Sequence, residues 1–310
     1  GRFHASFNVI GTLSSRMSGA DGLNAQGIKK AKYIRECFPL ADPPMQLVGG
    51  DFESFEVVLM DAVYKDPDLR ADLLRTHKCL DCHGSGKVNG KECSECAGKG
   101  EVNYKIHGLF GESLFKMNYF DILKTKGLPG DQDKYSRSKS CVFAMAYGGN
   151  EYTLQTRGGV EESQANAAYQ DWVKRYQVWG MERRKVFDKF CSMKQPNGLG
   201  TKVEWHEPAE YVESIFNFRR YFTLENKIAK ALFELAENPP KEWEKLKISV
   251  MRNDREQTAV GATRSALFGA AFRIQSDCMK AAANHTIQSS GATITKKLQR
   301  QIWDLQPNGS

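Results

Sequence analysis

Residues 77 to 103 constrain this chain most. The run CLDCHGSGKVNGKECSECAGKGE places Cys79, Cys82, Cys93 and Cys96 in two CxxCxGxG units, in a stretch almost devoid of large apolar side chains. Such a stretch cannot build a core of its own. Something else must order it, and four thiolates suffice to hold one tetrahedral Zn2+. In each unit the two cysteines reach one ion from a tight turn, and the glycines permit the backbone conformations that aim amides at the sulfurs. The alternative is a glycine-rich loop with free thiols, against which the paired spacing speaks. The other four cysteines, Cys37, Cys141, Cys191 and Cys278, are scattered and read as small packing residues in a reducing compartment.

The rest of the 310 residues, with 41% hydrophobic content overall, can bury a sizeable core. Lys and Arg total 44 against 37 acidic residues, a net charge of +7 that suits a polyanionic partner without demanding one. No apolar run reaches the length of about 18 residues that a membrane helix needs. The opening GRFHASFNVIGTLSS lacks the order of a signal peptide. A cytoplasmic protein with no membrane partner is therefore expected. A start without methionine and an ending DLQPNGS predict a piece of a longer chain.

QLVGGDFESFEVVLMDAVY reads as a short strand running into a helix, with Asp51 at the junction. SRSKSCVFAMAYGGN has helical character and a Gly-Gly stop. A second helix after Gly159 carries Ala165, Ala168, Tyr169, Trp172, Val173 and Tyr176 as one apolar stripe, more a core face than a cofactor site. YVESIFNFRRYF has strand-forming residues and a basic end, the ENPPKEWEKLK stretch reads as an inserted helix pair broken by proline, and Ala266 to Asp304 reads as mostly helical. Asn284 and Gln288 fall one turn apart on that last helix.

Two places carry chemistry. An aspartate at a strand end is held rigidly beside an open cleft, where a metal-binding carboxylate of a nucleotidyl-transfer site belongs; after two glycines Asp51 is also simply a turn residue. Lys139, Phe143 and Tyr147 stand at i, i+4 and i+8, so one helix face presents a cation, a flat ring and a phenol. That row suits a triphosphate, a base or sugar, and a templating base. The same row also reads as an amphipathic helix with two aromatics in a core.

Together these elements resemble family A DNA polymerases. TLSSRMSGADGLNAQGI is similar to the family's arginine-containing segment followed by Asn-x-Gln, which implies that Arg16, Asn24 and Gln26 contact primer-template DNA; here one extra residue separates the arginine from the asparagine. DFESFEVVL resembles the first catalytic motif. The resemblance implies Asp51 as a ligand of two Mg2+ ions, the Phe52 carbonyl assisting, and Glu56 as the steric gate against a ribose 2′-hydroxyl. IHGLFGE implies His107 near the phosphates of an incoming dNTP. KSCVFAMAYGG resembles the fingers-helix motif, implying Lys139 on the leaving pyrophosphate, Phe143 on the sugar, and Tyr147 with Gly148 at the templating position. YVESIFNFRRYF resembles the segment ending in consecutive arginines, and NHTIQSSGATITK the Asn-x-x-x-Gln helix, with Asn284 and Gln288 at the primer terminus. Separately, the cysteine units resemble the zinc domain of DnaJ-type chaperones, which carries four where this chain has two.

The expected fold class is α+β. The resemblance implies a right-hand polymerase palm with a partial antiparallel sheet, a mostly helical fingers domain and a small zinc-binding insert. The expected division is 1–60 palm, 61–265 fingers with the zinc insert at 77–103 and a helical insert at 223–262, and 266–310 palm. Two departures stand out. Tyr135 replaces the arginine usual four residues before the lysine, and no His-Asp-Glu motif follows Gln288. Because two-metal phosphoryl transfer needs more than one aspartate, this stretch alone is expected to be inactive. The insert and the divergent motifs fit a phage-type enzyme, with a replisome protein as a partner at the zinc insert. The competing readings are a single-subunit RNA polymerase, against which Glu56 speaks, and a zinc-organised DNA-binding module without catalysis.

Overall fold

The computed structural model describes residues 5–20, 24–29, 31–37, 50–245, 248–252 and 255–305. In chain order, strands β1 (Ser6–Asn8) and β2 (Ser18–Ala20) precede helices α1 (Lys32–Arg35), α2 (Phe55–Tyr64) and α3 (Pro67–Leu74). Strands β3 (Thr76–Lys78), β4 (Lys87–Val88), β5 (Lys91–Glu92) and β6 (Glu101–Asn103) frame the cysteine segment. Helices α4 (Ile106–Phe115), α5 (Tyr119–Lys124), α6 (Lys134–Ala146), α7 (Glu151–Gly158), α8 (Glu162–Arg175) and α9 (Gln177–Phe190) follow. Then come β7 (Met193–Lys194), β8 (Glu204–Trp205), β9 (Tyr211–Glu213), β10 (Arg219–Tyr221), α10 (Thr223–Glu237), α11 (Lys241–Glu244), β11 (Ser249–Arg252), β12 (Arg255–Thr258) and the long α12 (Ala259–Leu305).

These elements form two compact units. One comprises Gly1–Leu59, Glu213–Arg220 and His285–Ser310, the other Met60–Val212 and Tyr221–Asn284. Helix and strand are mixed as expected, but among the described residues every sheet is two-stranded. The larger antiparallel sheet of a palm is therefore not found among them. The strand expected just before Asp51 lies outside the described residues.

The second unit is built around α4, which packs on α5, α6 and α8, while α7 bridges α6 and α8. Its core holds Phe110, Leu114, Ile122, Val142, Met145, Leu154 and Trp172. The stripe on α8 faces inward: Ala165, Ala168 and Trp172 are buried, as is Tyr176 just past the helix end. Trp172 meets Phe110, Tyr176 and Trp179 edge to face at 5.5, 4.6 and 5.8 Å, the arrangement that aromatic quadrupoles favour.

Buried carboxylates tie this core together. Asp66 caps α3 by accepting from the amides of Asp68 and Leu69 at 3.0 Å, and its other oxygen accepts from the Trp179 amide at 2.9 Å. Asp72 accepts a two-pronged bond from Arg175, at 2.6 and 2.5 Å, and a third from the Tyr176 hydroxyl at 2.7 Å. The Asp72 partner raises the pKa of Arg175; burial, with the adjacent carboxylate, raises that of Tyr176. Asp72→Ala should destabilise the unit by about 3 kcal/mol, because it leaves a buried phenol and a guanidinium without their acceptor. A urea titration showing a loss below about 1 kcal/mol would contradict that.

Several sequence expectations need correction. Asn150 starts α7 with a capping box, accepting from the Thr153 amide, so the Gly-Gly stop opens a further helix that the pattern does not announce. The insert at 223–262 is not purely helical: beyond α10 and α11, β11 pairs antiparallel with β12. Helix α12 begins at Ala259, earlier than the apolar pattern indicates. Cys141 and Cys278 are buried as packing residues should be, but Cys37 is exposed and Cys191 half-buried.

Candidate nucleotide and zinc sites

The four cysteines of the insert converge. Their sulfurs all lie within 4.8 Å of one another, with Cys79 Sγ and Cys93 Sγ 3.8 Å apart and Cys82 Sγ and Cys96 Sγ 3.6 Å apart. A tetrahedral ion with Zn–S bonds of about 2.3 Å sets sulfurs about 3.8 Å apart, so the donor set fits zinc in number, chemistry and spacing. Gly86 and Gly100 direct their amides at Cys82 Sγ and Cys96 Sγ, at 3.3 and 3.2 Å. Gly84, Gly86, Gly98 and Gly100 have φ between +73° and +87°, the conformation that lets each turn fold back on its sulfur. Burial pushes the Cys82 thiol up, but the Gly86 and Gly84 amides together with the Cys96 and Cys79 sulfurs bring it down to about 7, while burial pushes its neighbour Cys96 up to about 11.

The insert has a defined seat. Strand β3 pairs with β6, matching His77 to Val102, and the β4–β5 hairpin turns on Asn89-Gly90, both with positive φ, as a tight two-residue turn requires. The His77 ring packs edge-on against Tyr104, Tyr119 and Phe120 at 4.7, 5.6 and 5.3 Å. From β6 the chain enters α4 through Lys105, whose amide donates to the Tyr119 hydroxyl at 3.0 Å.

His107 sits in the first turn of α4, 3% exposed, with its ring 5.2 Å from that of Phe143 on α6. The exposed Lys139 holds Nζ 5.5 Å over the same Phe143 ring. Burial, reinforced by the charges of Lys139 and Lys105, lowers the His107 pKa to about 4, so the imidazole is neutral near pH 7. Its Nδ1 is buried with no hydrogen-bond partner among the described residues. Phe143 and Tyr147 are half-buried, whereas Ser138, Cys141, Val142 and Met145 form the core face of α6. The row of cation, ring and phenol thus lies on the less buried side of its helix. Tyr135, where an arginine was expected, is buried, and Lys126 stands over its ring at 5.7 Å. Neither neighbouring cation fills the gap. Arg137 donates to the Asp131 carbonyl at 2.9 Å, and Lys134 reaches Met117 Sδ at 2.9 Å.

In the first unit, Arg16, Gln26, Glu56 and Gln288 line one cleft of about 230 Å³ with Lys296 and Gly291. Asn24, Asp51 and Phe52 are not among its lining residues. Asn24 caps a 3-10 turn over Ala25–Gly27 by accepting from the Gln26 amide at 3.0 Å. Asp51 is exposed and accepts from the Phe52 amide at 2.9 Å, while the Phe52 ring stacks on Phe55 at 4.5 Å. Lys296 donates to the carbonyl and hydroxyl of Ser15 at 2.5 and 2.8 Å, holding the loop that presents Arg16. Asn284, the last residue of the second unit, lies one turn before Gln288 along α12, its Oδ1 buried with no hydrogen-bond partner among the described residues.

The chain's fold can be placed among known ones. It superposes on the POL domain of Pol1 from M. smegmatis, solved in complex with DNA primer-template and dNTP, with a TM-score of 0.50 over 96% of this chain at 17% identity. The fold is shared with a DNA polymerase domain. The match spans 36% of the length of that polymerase chain. By sequence, no family model and no curated protein matches. Among the described residues no helix is long and apolar enough to cross a membrane.

The sequence reading missed Lys105 and Lys296. Lys105 stands two residues before His107 and acts on it through charge alone, which leaves no motif. Lys296 meets Ser15 across 281 residues of sequence, a pairing that periodicity cannot reveal.

Proposed function

We propose that this chain is part of a template-directed DNA polymerase of the family A type, which adds deoxynucleotides to a primer 3′ end. The observation that carries this reading is the grouping of Lys139, Phe143 and His107 on a fold shared with a polymerase domain. On this reading the exposed Lys139 ammonium meets the triphosphate, where charge builds on the leaving pyrophosphate. Phe143 offers a flat apolar surface to the sugar, and Tyr147 with Gly148 borders the templating base. His107 is neutral and offers a ring nitrogen rather than a second cation.

In the first unit, Arg16, Gln26 and Gln288 share a cleft wall suited to polar and phosphate contacts with primer-template. Asn24 supports that loop through the turn it caps, and Asn284 precedes Gln288 on the helix. Glu56 lines the same cleft, and as the gate against a 2′-hydroxyl it favours DNA over RNA synthesis. Magnesium would supply charge neutralisation at the transferred phosphate. Among the described residues Asp51 joins no cluster of three or more acidic or metal-binding groups. One carboxylate does not make a two-metal site, so Asp51 is proposed as one ligand and no step is built on the ions. The proposed domain division follows: palm at 1–60 and 266–310, fingers at 61–265, with inserts at 77–103 and 223–262.

The substrate class can be tested by salt. Primer-template affinity should fall steeply between 50 and 200 mM salt, with a log–log slope of about −4 or steeper if five or so phosphates are neutralised. A flat response in fluorescence anisotropy would remove DNA as the substrate.

A further inference from the structure

The end of α6, where Tyr147 and Gly148 leave the helix, is held by a second row of side chains. Gly148 adopts φ +89° and donates its amide to the Met145 carbonyl at 3.1 Å, while the Gly149 amide donates to the Ala144 carbonyl at 2.7 Å. This is a helix stop in which a left-handed residue satisfies the last carbonyls. The Met145 carbonyl has a further donor: Arg183 Nη1 reaches it at 2.9 Å and the Gly149 carbonyl at 3.5 Å, while Nη2 donates to the Tyr169 hydroxyl at 3.1 Å.

The guanidinium is itself fixed. It lies over the rings of Trp179 and Phe187, 4.5 and 5.3 Å from their centroids. Trp179 is fully buried and its amide is bound by Asp66. The Phe187 ring comes so close to Gly148 that a Cβ there would stand 3.0 Å from Cζ. Trp179, Arg183 and Phe187 are spaced i, i+4 and i+8 on α9, so one face of that helix grips the end of α6. A cation at a helix C-terminus is also favoured by the helix dipole. The planar fork reaches several acceptors while stacking, which an ammonium cannot do.

We infer that Arg183 is a positioning residue that fixes the Tyr147–Gly148 turn and thereby sets how strictly the templating position accepts only a matched nucleotide. This rests on the polymerase reading of Lys139, Phe143 and Tyr147. Arg183 touches no reacting atom; it acts through the backbone of Met145 and Gly149. Loosening that turn lets the Tyr147 ring leave its place, and displacements of about 1 Å at such positions change rates by up to about 10²-fold.

The test compares Arg183→Ala and Arg183→Lys with Arg184→Ala, an exposed neighbour, in the full protein. Two readouts are taken: amide hydrogen exchange at Tyr147, Gly148 and Gly149, and the ratio of kcat/KM for matched over mismatched dNTPs. The expected result for Arg183→Ala is faster exchange at those amides and roughly a tenfold or greater loss of the ratio, with primer-template affinity unchanged. Arg183→Lys, which keeps the charge and stem if the alanine variant does not fold, should fall between, and Arg184→Ala should match wild type. Unchanged exchange overturns the clamp. Faster exchange with an intact ratio reduces Arg183 to a structural role and overturns the inference. A wild-type protein that does not discriminate nucleotides at all sinks the polymerase reading and this inference with it, whereas the exchange data still report whether the clamp exists.

Discussion

Loss of the zinc proposed for the four cysteines, by chelator or by Cys79→Ser, should unfold residues 76–103 while leaving the helices of the second unit in place. The four cysteines are the buried core of the insert, with Val102 the partly buried apolar side chain packed against them. That is far too little apolar area to offset the conformational entropy of ordering the 28 residues from 76 to 103. Metal binding must provide the stability, and structural Zn2+ in small modules contributes on the order of 10 kcal/mol. Metal analysis should find one zinc per chain. Chelation should release it and abolish protection of the Cys79 and Cys93 amides, which donate to the Gly100 and Gly86 carbonyls. The packing of α4, α6, α7 and α8 does not depend on the cysteines, so the helical circular dichroism should change little. A metal-free protein in which those amides stay protected would contradict the assignment.

Lys139→Ala should slow nucleotide incorporation by about 10² to 10³-fold, the effect of removing one well-placed electrostatic contact to developing charge, and change primer-template affinity by less than about threefold. The asymmetry follows from its surroundings. Lys139 is exposed, and the contact it makes in this structure is with the Phe143 ring beside His107. No core contact is lost, and the helix is otherwise good for alanine. Single-turnover kinetics separate the two effects, and equal losses of rate and DNA affinity would place Lys139 on the nucleic acid rather than on the triphosphate.

How much of this was legible in the sequence depends on how local the signal is. The clustering of the four cysteines was readable because turn glycines and paired cysteines within 18 residues carry all of its geometry. The face of α6 was readable because a helix fixes the spacing of Lys139, Phe143 and Tyr147. Cys141 and Met145 are buried on its other side, whereas Lys139 is exposed and Phe143 and Tyr147 are half-buried. The start of α7 was not readable, because Asn150 looks like the end of a stop signal and acts as the next helix's cap. Nor was β11–β12, whose residues sit in a highly charged stretch. The long-range ties, Arg175 to Asp72 across 103 residues and Lys296 to Ser15 across 281, leave no local pattern at all. Arg183 is an intermediate case. Its row with Trp179 and Phe187 is visible in the sequence, but what the row grips is fixed only by the fold.

On the proposed polymerase function, the protein selects a nucleotide by its match to a template. The most direct measurement is equilibrium binding of each of the four dNTPs to the full protein on a primer-template whose 3′ end cannot be extended, with magnesium present. The complementary dNTP should bind at least about tenfold tighter than the others, the scale of about 1.4 kcal/mol, and the preference should follow the template base when that base is changed. Equal binding of all four, or a preference that ignores the template, would contradict it.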